Sequence, residues 1–454
     1  MTESYEQRDG RRVLTSEASE RVAQAADNSV RVTGPVGELA DAREQIPELG
    51  FREYWYPACG WRRVPHYRPA FVKLLGDEIC LFRGRTGVAA VSDLCPHRGA
   101  HLSDGRCHYR GTVSCPYHGW TFDESGSCVA ALSEGPDSSA PTRSKVRTYP
   151  TAVLKDVVFI WMGDGPPTDP AVDLPPELTD DSLVLHDATI WRANWRPALE
   201  NLNDNHTFYV HRNALQMLMR PLGKVSFRGA RPIIVGGGVH LTRYSDGSAA
   251  SRSVREYYPA VSGNWPRSHL RSLWSGLFAT TALAWLWRLG DATNYPEPLQ
   301  GYHNDPEWDM GPHMPGMQRI NGGSALYTRW CVPIDATTTR EFYLWATRPT
   351  TRRAALWERA KYPLVQRLLR NRNLGLQDGR VLSRLRFDTP ERLTRFDLET
   401  IGWRRLAILS ARHGGRHDRI PPAVVDRLNA PARPTPSESD DLPSGPDVEV
   451  TARG

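Results

Sequence analysis

The amino-acid sequence predicts an α+β protein, in which an N-terminal all-β domain precedes a domain built from an antiparallel sheet covered by helices. Short apolar and β-branched runs separated by Gly-Asp and Arg-Thr-Gly turns fill residues 71–95, a pattern typical of consecutive strands. Apolar segments continue into the second half of the chain, where helical patterns follow them at RAALWERAKYPLVQRLLRN and DLETIGWRRLAILSARHG. Together these observations predict two domains of different character.

Changes in composition suggest where the domains begin and end. Residues 1–48 are polar and predict a flexible arm, and residues 49–165 form the predicted all-β domain. A Pro-rich stretch at 165–180 marks a domain boundary. The second domain covers 181–428 and includes a helix with Pro197 in its first turn. Residues 429–454, rich in Pro, Ser and Asp, predict a disordered tail.

The overall charge and the cysteines limit the class of protein. The net charge of +6 over 454 residues fits docking of an acidic protein partner, but the clustered basic tracts of nucleic-acid-binding proteins are missing from the sequence. The N-terminus has no apolar signal region, and the seven cysteines are an odd number. We therefore expect a cytoplasmic protein whose thiolates bind metal rather than form disulfides.

The longest uncharged run, at 272–287, lies between two arginines. Its sixteen residues are fewer than the ~20 that a transmembrane helix needs. The run predicts a buried or pocket-lining helix, and the alternative is a membrane-surface patch that collects apolar substrates. No transmembrane span is expected.

Two cysteine–histidine pairs carry the clearest chemical signal, Cys95 with His97 and Cys115 with His118. Each pair stands on a short Pro-containing loop between predicted strands, so the two loops could meet at one metal centre. Thiolates hold the iron of iron–sulfur clusters, and two imidazoles on one iron raise the reduction potential. A structural zinc site is the alternative. Zinc modules usually place two Cys on one loop and two His on the other, whereas each loop here carries one Cys and one His.

The motifs CPHRG and CPYHGW, at this separation, resemble the cluster-binding loops of the Rieske non-haem iron oxygenase family, in particular the alpha subunits of aromatic ring-hydroxylating oxygenases. The resemblance implies a Rieske [2Fe–2S] cluster with both cysteines on one iron and both histidines on the other. It also implies a helix-grip-like catalytic domain after the Rieske domain.

Other residues near the two motifs refine this interpretation. Rieske proteins of respiratory complexes carry an extra disulfide between the loops, and Ala100 and Tyr117 stand at the corresponding places here. Cys107 and Cys128 are interpreted as small buried residues rather than ligands.

A second metal site is indicated by ENLNDNHTFYVH, residues 200–211. His206 and His211, with one carboxylate from elsewhere, would form the facial triad of a mononuclear Fe(II) centre, which leaves positions open for O2 and substrate. Five residues correspond to roughly 140° of rotation on an α-helix. The helix must therefore kink or end between them, or one ring must swing across.

The family resemblance extends to this segment, where Asn201, Asp204, His206 and His211 match the family pattern with one residue missing between Asp and His. The family's Asp links the iron-site His to a Rieske His of the neighbouring subunit. Carried over, Asp204 would link His206 to His118 of another chain. Asn203, three residues before His206, is the alternative.

Asp378, in LGLQDGRVLSRLR, is predicted as the third iron ligand because the family places its carboxylate on a late helix of this kind. Asp388 and Asp397 are the rivals, and both neighbour surface-like sequence.

The resemblance further implies a homotrimer, or an α3β3 assembly, in which a head-to-tail interface brings one chain's cluster to the next chain's iron. Because no GxGxxG motif follows a strand, electrons from NAD(P)H would arrive through a separate reductase, with or without a ferredoxin. The expected reaction is O2-dependent hydroxylation or another oxidation, such as dioxygenation, demethylation or cyclisation. Two alternatives stay open, a Rieske electron-transfer protein and a zinc-stabilised binding module.

The substrate is expected to be a hydrophobic, aromatic or polycyclic small molecule. The candidates for lining its pocket are Leu215, Met217, Met219, Trp274 and Phe278. The alternative is that each of these apolar residues simply belongs to the hydrophobic core.

Overall fold

A computed structural model describes residues 43–201, 210–211, 230–243, 311–321, 325–386, 391–393 and 397–430. It also describes short pieces at 5–8, 11–14, 225–226 and 251–252, and residues 308 and 389. Two strand pairs lie among the short pieces. They are β1 (Tyr5–Arg8) with β2 (Arg11–Leu14), and β14 (Val225–Ser226) with β17 (Ser251–Arg252).

The first domain is built from antiparallel strands, as predicted. One sheet has the order β10-β6-β5-β4, a second has the order β11-β12-β3, and a third contains β7, β8 and β9. Their apolar positions alternate or run continuously, and most of the strands bury at least one face. The bounds are β3 Trp55–Gly60, β4 Ala70–Leu74, β5 Asp77–Arg83, β6 Val88–Ser92, β7 Thr112–Ser114, β8 Trp120–Asp123, β9 Cys128–Ala131, β10 Thr148–Tyr149, β11 Thr151–Leu154 and β12 Val157–Trp161.

The second domain contains a seven-stranded antiparallel sheet with the order β13-β21-β20-β19-β18-β16-β15. The two longest strands, β20 and β21, form a hairpin between β13 and β19 and bury mainly Trp, Phe, Leu and Val side chains. The bounds are β13 Leu183–Trp191, β15 Ala230–Val235, β16 Gly238–Arg243, β18 Gly311–His313, β19 Met317–Asn321, β20 Leu326–Asp335 and β21 Thr338–Thr347.

Helices cover this sheet, which confirms the predicted α+β class. Asn194 caps the helix that contains Pro197, because its side-chain oxygen accepts the backbone N–H of Arg196. The predicted helix after residue 351 continues as a π-helical segment, Tyr362–Leu374. The bounds are α1 Ala140–Arg143, α2 Pro170–Asp173, α3 Trp195–Glu200, α4 Arg352–Lys361, α5 Gly375–Leu382, α6 Leu398–Arg412 and α7 Pro422–Asn429.

The two domains share one hydrophobic core. Phe159 of β12 and Trp330 of β20 come from different domains, and their rings pack with centroids 6.0 Å apart. At the same junction, the backbone N–H groups of Leu75 and Gly76 donate to the carbonyls of Pro333 and Ile334. The β4–β5 turn is thus tied to the tip of the β20–β21 hairpin.

Three segments at or near the predicted domain boundaries are packed against the rest of the protein. Residues 43–48, assigned to the arm, are packed on the second domain, because Ile46 is buried and Trp195 donates its indole N–H to the Pro47 carbonyl. The Pro-rich stretch 165–180 is also packed, through buried ion pairs of Asp173 with Arg416 and Glu177 with Arg319. Asn429, assigned to the tail, ends α7 and pairs with both backbone groups of Ile234 on the edge strand β15.

Candidate functional site: two cysteine–histidine loops and a buried histidine–aspartate pair

The two cysteine–histidine loops have the same backbone design. In the first, the N–H of Cys95 donates to the carbonyl of Ala100, and the N–H of Gly99 donates back to Cys95. In the second loop, the N–H of Cys115 donates to the carbonyl of Trp120, and the N–H of Gly119 donates to the carbonyl of Cys115. The fifth residue of each loop is glycine with a positive φ, +71° for Gly99 and +66° for Gly119, a conformation that glycine adopts without strain. The repeated Cys-Pro…Gly sequence therefore encodes a repeated turn.

The loops bring their sulfur atoms together below the protein surface. Cys95 and Cys115 are buried and their thiols interact with each other. Burial raises the pKa of the Cys95 thiol to about 12, and the nearby Cys115 acts in the same direction. Two such thiols ionise together only when a cation compensates their charges, so the pair suits a metal.

The imidazoles of the same loops face each other nearer the surface. The ring centroids of His97 and His118 lie 4.6 Å apart. The buried Nδ1 of His118 has no hydrogen-bond partner within the described ranges, so it can donate its lone pair to a metal. The donors thus fall into a sulfur pair and a nitrogen pair, as two irons with two protein ligands each require.

Aromatic side chains enclose the two histidines. The Trp120 ring stacks on His97, with centroids 4.5 Å apart and planes inclined by 6°. Tyr117 packs on His118 at 3.9 Å. Tyr117 and Ala100 are the residues that replace the disulfide cysteines of respiratory Rieske proteins, and all seven cysteines of the chain are free thiols. Cys128 is buried as predicted, whereas Cys107 is half-buried.

In the second domain, His211 and Asp378 lie side by side although they are far apart in sequence. The Nε2 atom of His211 is 3.1 Å from Oδ1 of Asp378, and their side chains are only 3% and 2% exposed. Asp378 stands in α5, directly after the π-helical segment, a type of helix often found at functional sites. The structure therefore joins two of the three predicted iron ligands.

A buried ionic chain stands behind Asp378. The Arg329 guanidinium is 3.9 Å from Oδ2 of Asp378 and 3.0 Å from the Glu341 carboxylate. Burial raises the pKa of Glu341 to about 7, whereas the positive charge of Arg329 acts in the opposite direction. Arg329 and Glu341 were not predicted as site residues. Their signal in the sequence is a charged residue among the Trp, Tyr and Leu side chains of each strand, although β21 also carries Arg340 beside Glu341.

Asn201, the residue directly after α3, is buried. Its side-chain amide nitrogen has no hydrogen-bond partner among the residues that the structure describes. The preceding residue, Glu200, is held by a bidentate ion pair with Arg404, at 2.6 and 2.7 Å. This pair fixes the end of α3, from which the segment with the predicted histidines begins.

Several predicted residues lie outside the described residues. They are Asn203, Asp204 and His206, the pocket candidates Leu215, Met217, Met219, Trp274 and Phe278, the whole run 272–287, and Asp388. The other rival, Asp397, stands at the start of α6. Within the described ranges, no three His, Cys, Asp or Glu side chains converge on one point as ligands of a single ion. This result is expected, because each iron of a two-iron cluster would have only two protein ligands, and because His206, the third predicted ligand of the mononuclear iron, lies outside the described residues.

No helix in the described part of the chain has the length and apolar character needed to cross a membrane.

Comparisons with known proteins match both halves of the chain. The Rieske [2Fe–2S] domain model matches residues 54–150, and the model for homotrimeric ring hydroxylases matches residues 161–371. The terminal oxygenase component of carbazole 1,9a-dioxygenase from Metapseudomonas resinovorans is 35% identical over 182 residues, which are 39% of this chain and 47% of the relative. The methylxanthine N3-demethylase of Pseudomonas putida is 31% identical over 180 residues, 36% of this chain and 49% of the relative. The chain thus spans about half the length of these curated relatives.

Solved structures resemble the chain over a greater length. The terminal oxygenase of carbazole 1,9a-dioxygenase from Novosphingobium sp. KA1 superimposes with a TM-score of 0.61 at 24% identity, covering 83% of this chain and 98% of that one. A reduced complex between oxygenase and ferredoxin in carbazole 1,9a-dioxygenase gives 0.59 at 21% identity, with 86% and 97% covered. These structures share the fold. Because the two models match in the order of the two domains, and the cluster motifs stand on the loops of the first, the chain belongs to the Rieske non-haem iron oxygenase family.

Proposed function

We propose that this protein is a Rieske-type oxygenase, which uses O2 and electrons from NAD(P)H to hydroxylate or otherwise oxidise a hydrophobic, aromatic or polycyclic small molecule. The observation that carries the proposal is the presence of two separate donor sets in one fold. Paired Cys and His loops lie in the first domain, and the buried His211–Asp378 contact lies in the second. An electron carrier would need only the first set.

Cys95 and Cys115 would hold one iron of a [2Fe–2S] cluster, and His97 and His118 would hold the other. This cluster supplies single-electron transfer at a moderate potential. The aromatic rings of Trp120 and Tyr117 restrict the two imidazoles, and the glycine turns fix the backbone that carries all four ligands.

His211, Asp378 and His206 would hold a mononuclear Fe(II), which supplies open coordination positions for O2 and substrate. Oδ1 of Asp378 faces His211, whereas Oδ2 faces Arg329. Arg329 therefore occupies one side of the carboxylate and orients the other oxygen toward the proposed metal. The burial of this pair keeps bulk water from competing with it.

The proposed partners follow from the family. A separate ferredoxin or reductase would deliver the electrons, and a homotrimer, or an α3β3 assembly, would place one chain's cluster beside the next chain's iron. Asp204, or Asn203 in its place, would link the two centres across that interface. We also propose a cytoplasmic location.

Metal analysis tests the proposal most directly. We expect three irons and two acid-labile sulfides per chain, together with the visible absorption of a Rieske cluster. Two irons with two sulfides would instead support an electron-transfer protein, and a colourless zinc protein would overturn both. Consumption of O2 and NADH should then be measured with a ferredoxin and reductase across a panel of hydrophobic substrates, with product analysis to distinguish hydroxylation, dioxygenation and demethylation.

A further inference from the structure

The turn that follows β9 is attached to the second cysteine–histidine loop at several points. The N–H of Leu132 donates to the Gly119 carbonyl, and the Ser133 hydroxyl donates to the His118 carbonyl at 2.7 Å. Residues 132–138 thus lie against the loop that carries Cys115 and His118. We call this segment the 132–138 turn.

Glu134 connects this turn to the first loop indirectly, through the Trp120 side chain. Its Oε1 atom accepts the Trp120 indole N–H at 2.7 Å, and its Oε2 accepts the Ser138 hydroxyl at 2.6 Å. Both carboxylate oxygens are therefore occupied, which fixes the side chain although it lies at the surface. Trp120 in turn is the ring that stacks flat on His97.

We propose that Glu134 is a positioning residue for the cluster, which fixes the Trp120 ring against His97 and places a negative charge beside the two histidine ligands. The carboxylate acts through Trp120 on the orientation of His97. Its hydrogen bonds with Ser138 and Trp120, and to a smaller extent its electrostatic interaction with both imidazoles, hold the pKa of Glu134 below its usual range.

This arrangement has a defined effect on the reduction potential. A nearby negative charge disfavours the reduced cluster, which carries one more electron, so removing the charge raises the potential. Because Glu134 is exposed, water and salt screen the effect. We expect the Glu134→Gln variant to shift the one-electron reduction equilibrium by about two- to fivefold, or about 20–40 mV at about 59 mV per decade.

Three variants of the full-length holoprotein separate charge from geometry. Glu134→Gln removes the charge but keeps an oxygen that can accept the Trp120 N–H. Trp120→Phe keeps a ring on His97 but removes the N–H that holds Glu134. Asp137→Asn is the matched control, because it removes an exposed negative charge from the same turn, three residues from Glu134.

The measurements are the cluster potential, by redox titration at fixed ionic strength, and the EPR g values of the reduced cluster. The inference is supported if Glu134→Gln raises the potential, Trp120→Phe raises it and also changes the g values, and Asp137→Asn has less than half the effect of Glu134→Gln. Equal shifts in Glu134→Gln and Asp137→Asn, or no shift while the cluster absorption is intact, would overturn it. Neither readout requires turnover, so this result is independent of whether the protein is an oxygenase.

Discussion

The replacement of Asp378 by Asn tests the proposed iron site most sharply. The change conserves the volume of the side chain but removes the negative charge. Asp378 is 1% exposed, and its Oδ1 lies 3.1 Å from His211, so no water can enter to replace the lost carboxylate without rearrangement of the site. We expect the variant to fold and to lose its mononuclear iron.

The magnitude follows from the place of Asp378 in the site. Loss of an outer-shell partner typically weakens metal binding by about 10–100-fold. Asp378 would contact the metal itself, so we expect at least about a 100-fold loss of Fe(II) affinity, which is about 3 kcal/mol. Arg329 retains its ion pair with Glu341 in the variant, and this pair limits the accompanying loss of folding stability.

The assay is retention of iron during dialysis against graded Fe(II), with the cluster absorption as an internal standard because the cluster lies in the other domain. Asp397→Asn is the control, since Asp397 stands at the start of α6 and was the rival carboxylate. Our assignment of the third ligand is refuted if Asp378→Asn binds Fe(II) within tenfold of the unmodified protein, or if Asp397→Asn loses the iron instead.

Five further results are expected. Glu341→Gln should weaken Fe(II) binding about 10–100-fold, because Arg329 then lacks its main counter-ion and is drawn toward Asp378. Equilibrium dialysis measures the affinity, and an unchanged value would mean that Arg329 and Glu341 do not influence the iron site. His206→Ala should abolish turnover and the binding of mononuclear iron but keep the absorption spectrum of the cluster. Asp204→Asn should keep both metal centres yet slow the reduction of the mononuclear iron in stopped-flow experiments. If Asn203 connects the two centres instead, its replacement would show this effect and that of Asp204 would not. Arg404→Met should reduce the free energy of unfolding by about 3–5 kcal/mol in urea titrations, since Glu200 would be left as a buried charge, whereas a change below 1 kcal/mol would mean that Glu200 takes up a proton or finds another partner. Burial lowers the pKa of His417, whose Nδ1 lies 2.8 Å from the Tyr54 hydroxyl, so the unfolded chain binds the proton more readily than the folded one and the free energy of unfolding should fall as the pH drops below about 6.5. This dependence of the free energy of unfolding on pH should become weaker in His417→Gln but not in the control variant His66→Gln, which replaces an exposed histidine. The same dependence in all three proteins would contradict this account.

The parts of the site that depend on local sequence were predictable. Each cysteine–histidine loop is a short turn whose Pro and Gly residues fix its shape, so the four cluster donors could be assigned before any tertiary contact was known. Asp378 could be proposed because the family places a carboxylate on a helix at that point, and the structure places it beside His211. The metal ligands remain predictions, as do the roles of Asn201, Asn203 and Asp204.

The features that were missed depend on contacts between distant residues. Arg329 meets Glu341 because β20 and β21 pair in one particular register, and the strand pattern alone does not give that register. The packing of residues 43–48 is not visible in the local sequence, because Pro47 is held by Trp195, 148 residues further on. Polar composition suggested a flexible segment, but a single buried Ile46 and a few backbone acceptors are enough to fix its last residues.

The core that runs through both domains has a consequence for protein engineering. Strands from the first domain and the β20–β21 hairpin bury apolar side chains against each other, and backbone hydrogen bonds connect the β4–β5 turn to the hairpin tip. A fragment cut at the Pro-rich stretch would expose this surface to water and aggregate, so the Rieske domain is not a module that can be exchanged freely with a relative. Heating should accordingly melt both halves in one calorimetric transition.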